Sequence, residues 1–171
     1  DGIFFSCCKG CCAVEHIIQP AEIQLVQSSL YQCVFDDAVH RLRGAGITVI
    51  VHMILGLPGE TPEMMAETAR YIGQSGADGI KFQLLHVLEG TDLAEDYRKG
   101  RFSVLSLEEY IRVLEQCVEA VPADMVVHRL TGDGAKRDLI APLWSADKKH
   151  VLCAINAAFD RDDVIQGKCS G

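Results

Sequence analysis

Ile47-Thr48-Val49-Ile50-Val51-His52-Met53-Ile54-Leu55 is a nearly unbroken apolar, β-branched run, and Gly56-Leu57-Pro58-Gly59-Glu60-Thr61-Pro62 follows it directly. The run predicts a strand buried on both faces, as in a parallel sheet. The second stretch predicts a tight turn, with Thr61 as N-cap and Pro62 at the first position of a helix running to about Gln74. Met65, Ala69 and Ile72 form the inward stripe of that helix, and Gly73 and Gly76 mark its end. Residues 79–87, Gly-Ile-Lys-Phe-Gln-Leu-Leu-His-Val, read as the next strand. Upstream, Phe35, Ala38, Val39 and Leu42 recur at helical spacing until Gly44 and Gly46. Helix, strand, helix, strand with short links is the unit of a parallel sheet with right-handed crossovers, so the fold class is α/β.

Farther out the signals thin. Glu22-Ile-Gln-Leu-Val-Gln27 alternates imperfectly and reads as a short strand. A short helix is expected from Asp92 to about Lys99. Ser106 and Glu109 form a capping box, with Leu105 and Tyr110 as its hydrophobic staple. Leu107, Tyr110, Ile111, Leu114 and Val118 stripe the helix that follows, which Pro122 stops. Met125–His128 reads as a third strand and Thr131–Gly134 as a turn. A last helix is expected from Asp147 to Phe159, with a polar, frayed stretch over 160–171.

Composition bounds the function. Of 171 residues, 49% are hydrophobic and 23% charged, a globular balance. The chain is too short for an eight-unit barrel of about 250 residues. With 24 acidic and 16 basic residues the net charge is -8, which weighs against nonspecific nucleic-acid binding through a basic face. No apolar run approaches the roughly 18 residues of a membrane span, and the start lacks a basic n-region, so a cytoplasmic chain is expected. The sequence opens without methionine, as a fragment would. Eight cysteines are many, and four crowd into Cys7-Cys8-Lys9-Gly10-Cys11-Cys12. Cys8, Cys11 and Cys12 are candidate metal ligands, Cys8 and Cys11 having the spacing of a chelating turn; a disulfide, reactive thiols or a disordered start are the alternatives.

In a parallel α/β unit, chemistry collects at the carboxyl ends of strands. Three places qualify. His52 with Gly56 to Glu60 is either a ligand-binding turn or a plain helix cap. Lys81, Gln83 and His86 share a strand, where Lys81 and Gln83 face a cavity or Lys81 pairs with Asp78. His128-Arg129-Leu130-Thr131-Gly132-Asp133 could hold an anion, or Arg129 and Asp133 could simply brace the turn. His52, His86 and His128 lack zinc-motif spacing, and the glycine loop matches neither a dinucleotide nor a nucleotide fingerprint.

Residues 35–166 resemble the carboxyl-terminal half of a radical S-adenosylmethionine protein of the YhcC type, whose core is related to the Elp3-like enzymes. The resemblance runs through Phe35–Val39, Arg41–Arg43, His52, Ile54–Thr61, Gly79–Lys81, Leu84–Val87, Gly90-Thr91, Ser106–Tyr110, His128–Asp133, Ala141–Trp144 and Gln166–Lys168. It implies the last units of a partial (βα)6 barrel over residues 22–100, a carboxyl-terminal extension over 101–171 and an irregular start over 1–21. It also implies two cofactors, S-adenosylmethionine and a [4Fe–4S] cluster, which together give a 5'-deoxyadenosyl radical. Residues 53–60, including Ile54, Gly56, Pro58, Gly59 and Glu60, would pack on the adenine. His52, Lys81, Gln83 and His86 would lie beside the cofactor, and Gln27 would face its ribose or carboxylate from a remnant fourth strand. The cluster motif Cys-x-x-x-Cys-x-x-Cys departs here: Cys8 and Cys12 are followed by Glu15, Cys7 and Cys11 by Val14. The isolated chain therefore lacks a cluster ligand set and would need a partner carrying the first half, unless it is a scaffold that dimerises through its open sheet edge. The Elp3-like relatives act on transfer RNA, but the charge of this chain argues against a nucleic-acid role.

Overall fold

The computed structural model describes the backbone of residues 3–6, 26–132 and 134–170, with side chains from residue 32 onward. The Cys7–Cys12 stretch and Asp133 lie outside the described residues. A four-stranded sheet has the order β1-β2-β3-β5, with β1 at Ile3–Ser6, β2 at Ile50–Leu55, β3 at Gly79–Leu84 and β5 at Val126–Arg129. β2 and β3 pair in parallel from Ile50↔Gly79 to Leu55↔Leu84, and β3 pairs in parallel with β5. The two apolar runs thus lie side by side and point the same way. β1 pairs antiparallel with β2, on the edge expected to be open. The architecture is an α/β domain with a mixed sheet, an incomplete and unclosed (βα) barrel.

The helices lie against one face. Val51, Met53, Leu55, Ile80, Phe82 and Leu84 alternate onto it and are buried. They pack with α1 (Val26–Gly44) through Phe35 and Val39, and with α2 (Pro62–Gln74) through Met65, Ala69 and Ile72. Tyr110, Leu114 and Cys117 of α4 (Leu107–Ala120) and Val151, Ile155 and Ala158 of α5 (Lys148–Asp162) complete this core. The other face is only half-buried at His52, Ile54, Lys81 and Gln83. Burial on both faces is therefore not found: with helices on a single side, an apolar run covers only that side.

Two helices start as the sequence predicts. The Thr61 hydroxyl accepts from the Met64 N–H at 3.3 Å, with Pro62 at the first position. The Ser106 box closes both ways, Glu109 N–H to the Ser106 hydroxyl at 3.2 Å and Ser106 N–H to the Glu109 carboxylate at 2.8 Å. Elsewhere the structure corrects the sequence. Val26 and Gln27 begin α1 instead of ending a strand. No glycine or proline interrupts residues 26–43, so a helix nucleated beyond Phe35 propagates backward at little cost. Strand 79–87 breaks after Leu84, and Val87–Leu88 (β4) pairs antiparallel with Leu139–Ala141 (β6) in a second small sheet. Its core is Val87, Ala94 of α3 (Asp92–Arg98) and Ala141. The carboxyl end is tied down, not frayed: Gln166 Nε2 donates to the Pro122 and Met125 carbonyls at 2.6 and 2.7 Å, and Cys169 N–H to the Glu119 carbonyl at 2.8 Å.

Candidate functional site

Strand pleating puts alternate residues on one face, so His52 and Ile54 of β2 share the half-buried face with Lys81 and Gln83 of β3. His52 is opposite Lys81, and Lys81 is opposite Arg129 of β5. The Gln83 amide nitrogen lies 2.8 Å from His52 Nδ1. An amide N–H donating to Nδ1 leaves the ring proton on Nε2, which is buried and has no hydrogen-bond partner. An unmet buried donor costs about 1–3 kcal/mol. Burial pushes the His52 ring below its usual pKa, and the positive charges of Lys81 and Arg129 push it the same way.

The carboxyl ends of the parallel strands carry the remaining groups. Gly56 and Gly59 adopt φ of 85° and 86°, which favour glycine, as the chain turns from β2 into α2. The Gly56 N–H donates to the Met65 thioether sulfur at 3.1 Å. A side chain at Gly56 would come within 3.0 Å of Leu105. Glu60 turns one carboxylate oxygen into a buried position with no hydrogen-bond partner, and burial raises its pKa. The buried Cys117 thiol is pushed up to about 12, first by burial and then by the Glu60 charge. Pro58 is exposed at the tip of the turn.

The loop after β5 folds onto the end of β3. A side chain at Gly132 would lie 3.1 Å from the Gln83 amide oxygen, and one at Gly134 would lie 2.7 Å from the His86 ring. The Tyr110 hydroxyl anchors this loop by donating to the Leu130 carbonyl at 2.8 Å, and Thr131 is buried beside it. His128 lies over Gly79, where an added side chain would meet its ring at 2.8 Å.

The structure thus brings together His52, Ile54, Lys81, Gln83, His86 and Arg129, with the turn from Gly56 to Glu60 at the same end of the sheet. It does not bring Gln27 in as a strand residue, because that residue starts α1. The sequence reading missed Tyr110 as the anchor of the loop, taking it only for a core residue. It also missed Met65 beneath Gly56. A tyrosine in a helix stripe is the available signal, since a buried phenol needs an acceptor.

Lys81 does not pair with Asp78: that carboxylate instead accepts from the Val49 N–H at 2.8 Å and pairs with Arg43 at 3.2 Å. Among the described residues, no group of three or more His, Cys, Asp or Glu is placed to hold a metal ion. Among the described residues, no helix is long and apolar enough to cross a membrane. Two open grooves, about 590 and 410 Å³, touch Leu143 and Trp144 and share no residue with the His52 face.

Comparison with known proteins agrees with this architecture. Residues 77–161 match the Radical_SAM C-terminal domain. The uncharacterized protein YtqA of Bacillus subtilis is 42% identical over 132 residues, which is 77% of this chain and 41% of that protein. Protein YhcC of Escherichia coli is 31% identical over 106 residues, 62% of this chain and 34% of that one. The archaeal Methanocaldococcus infernus Elp3 structure superposes with a TM-score of 0.68 at 21% identity, covering 77% of this chain and 31% of that one. The chain spans less than half the length of these relatives. In sequence and fold the chain belongs to the radical SAM superfamily, related to YhcC and Elp3, with its family match in the C-terminal domain region.

Proposed function

We propose that this chain supplies one wall of the S-adenosylmethionine cleft of a radical enzyme, with residues 22–100 as the last barrel units and residues 101–171 as an extension that adds β5. The observation that carries this is the His52–Gln83 pair. A half-buried sheet face holds a histidine whose ring N–H is buried without a partner, next to Lys81 and at the glycine-turn end of the sheet. A bound polar ligand would satisfy that donor and offset its cost.

The described residues fit the organic cofactor. His52 and Gln83 would offer donors to its hydroxyls, and Ile54 would give an apolar surface for the adenine, with Gly56, Pro58, Gly59 and Glu60 shaping the rim and His86 closing the end of β3. When bound to a reducing cluster, this cofactor supplies a 5'-deoxyadenosyl radical. The described residues do not fit a [4Fe–4S] cluster. Cys33, Cys153 and Cys169 are exposed on separate segments, and Cys117 is buried with its thiol held protonated. The role of the described residues is to bind and orient the cofactor. Residence in the reducing cytoplasm, where cysteines stay as thiols, is part of this reading.

Titration calorimetry with S-adenosylmethionine tests it. Saturable binding by the chain is expected, weakened about tenfold by Gln83→Ala, which removes the amide holding His52. Absence of saturable binding up to millimolar cofactor, or binding indifferent to Gln83, would refute it.

A further inference from the structure

Lys81 and Arg129 are paired on adjacent strands, just past a register shift between Ile80 and Lys81. Like charges so placed repel and destabilise a sheet. Several cations of this chain pair with carboxylates: Arg98 with Glu89, Lys99 with Glu95, Arg101 with Asp96 and Lys168 with Glu119. Among the described residues neither Lys81 nor Arg129 is in an ion pair. Lys81 shares the half-buried face with His52, and both positive charges push that ring below its usual pKa. Among the described residues, the groups beside them on that face are the His52–Gln83 pair, Ile54, Gly132 and Gly134. Two adjacent positive charges with no ion pair among the described residues suit a negatively charged group from outside.

We propose that Lys81 and Arg129 form an oxyanion subsite that holds a phosphate or carboxylate group of the substrate. This rests on the reading of the face as a cleft wall. A guanidinium offers two parallel donors and an ammonium a point charge, so together they suit a group with two or three terminal oxygens better than a lone hydroxyl.

The test is titration of the whole chain at fixed ionic strength with inorganic phosphate in one arm and succinate in another, each repeated with S-adenosylmethionine present. Saturable binding of at least one anion is expected, and the preferred one tells a phosphate from a carboxylate substrate. Lys81→Gln and Arg129→Gln should each weaken it about tenfold, while Lys81→Arg retains it. In anion-free buffer both glutamine variants should melt at or above the wild-type temperature, because each relieves repulsion. The subsite is overturned if neither anion binds, if binding survives in the double variant, or if Arg129→Gln melts well below wild type, which would reveal a structural partner instead. It is also overturned if the double variant loses S-adenosylmethionine binding and phosphate displaces that cofactor, since the pair would then serve the cofactor. That outcome leaves the proposed function standing. Anion binding that depends on Lys81, in a chain that does not bind S-adenosylmethionine, would overturn the function and keep the subsite.

Discussion

Glu60 and His52 are two titrating groups at one end of the sheet, and their pH signs are opposite. Burial raises the Glu60 carboxyl above its ordinary value of 4.5. A raised carboxyl stabilises the fold below the unfolded value and loses that contribution as pH rises through the folded one. Glu60→Gln is therefore expected to raise the melting temperature at neutral pH, with the gain fading toward pH 4. His52 is lowered from 6.5, so its contribution is present above that value and is lost as pH falls through the folded one. Ring-carbon NMR should find His52 titrating below 6.5, and Lys81→Gln should move it upward by removing one of the causes. An unchanged titration would mean that the Lys81 charge lies too far away to act. Much of this candidate site was legible in the sequence, because a lysine and a glutamine two residues apart in one apolar run, and a histidine inside another, cannot all be core. The His52–Gln83 bond and the Lys81–Arg129 apposition were not legible. They depend on strand register, which one sequence without pairing information does not determine.

The helices that matter most to the sheet announce themselves at their first turns. Removing the Ser106 hydroxyl opens the capping box of α4, and Ser106→Ala should cost about 1 kcal/mol in denaturant unfolding. Gly79→Ala at the start of β3 should cost more, since its new carbon would lie 2.8 Å from both the His128 ring and the Val126 carbonyl, the latter fixed in the backbone. If that variant unfolds at the wild-type denaturant midpoint, β5 is not held where it is described. Caps and stripes are local, and for that reason α2 and α4 could be read from the chain to within a residue. β4 and β6 escaped because each is two or three residues long and their pairing spans about fifty residues of sequence. The start of α1 escaped because Glu22–Gln27 alternates weakly at the one point where a helix was already propagating from beyond Phe35.

At the scale of the molecule, the last residues tie the chain together. Gln166 spans the Pro122 and Met125 carbonyls, Lys168 pairs with Glu119 at 3.1 Å, and Gly167 packs against Ala123, so the turn from α4 into β5 is held from outside. Gln166→Ala should cost about 1–3 kcal/mol of stability, as two carbonyls lose their donor, with a matching drop in the denaturant midpoint. An unchanged midpoint would show that solvent replaces the amide at no cost. A polar tail reads as loose in a sequence because its partners are backbone carbonyls, which carry no side-chain signature. Tyr110 spans the molecule in the other direction. Rooted among the helices, it grips the Leu130 carbonyl just after β5 with its hydroxyl. The ring and its hydroxyl thus serve different masters, one the oily interior and the other the loop that lies against Gln83 and His86. Repacking behind the sheet would consequently be felt at that loop, and under the proposed function a substitution far from the cofactor would retune what the cleft admits.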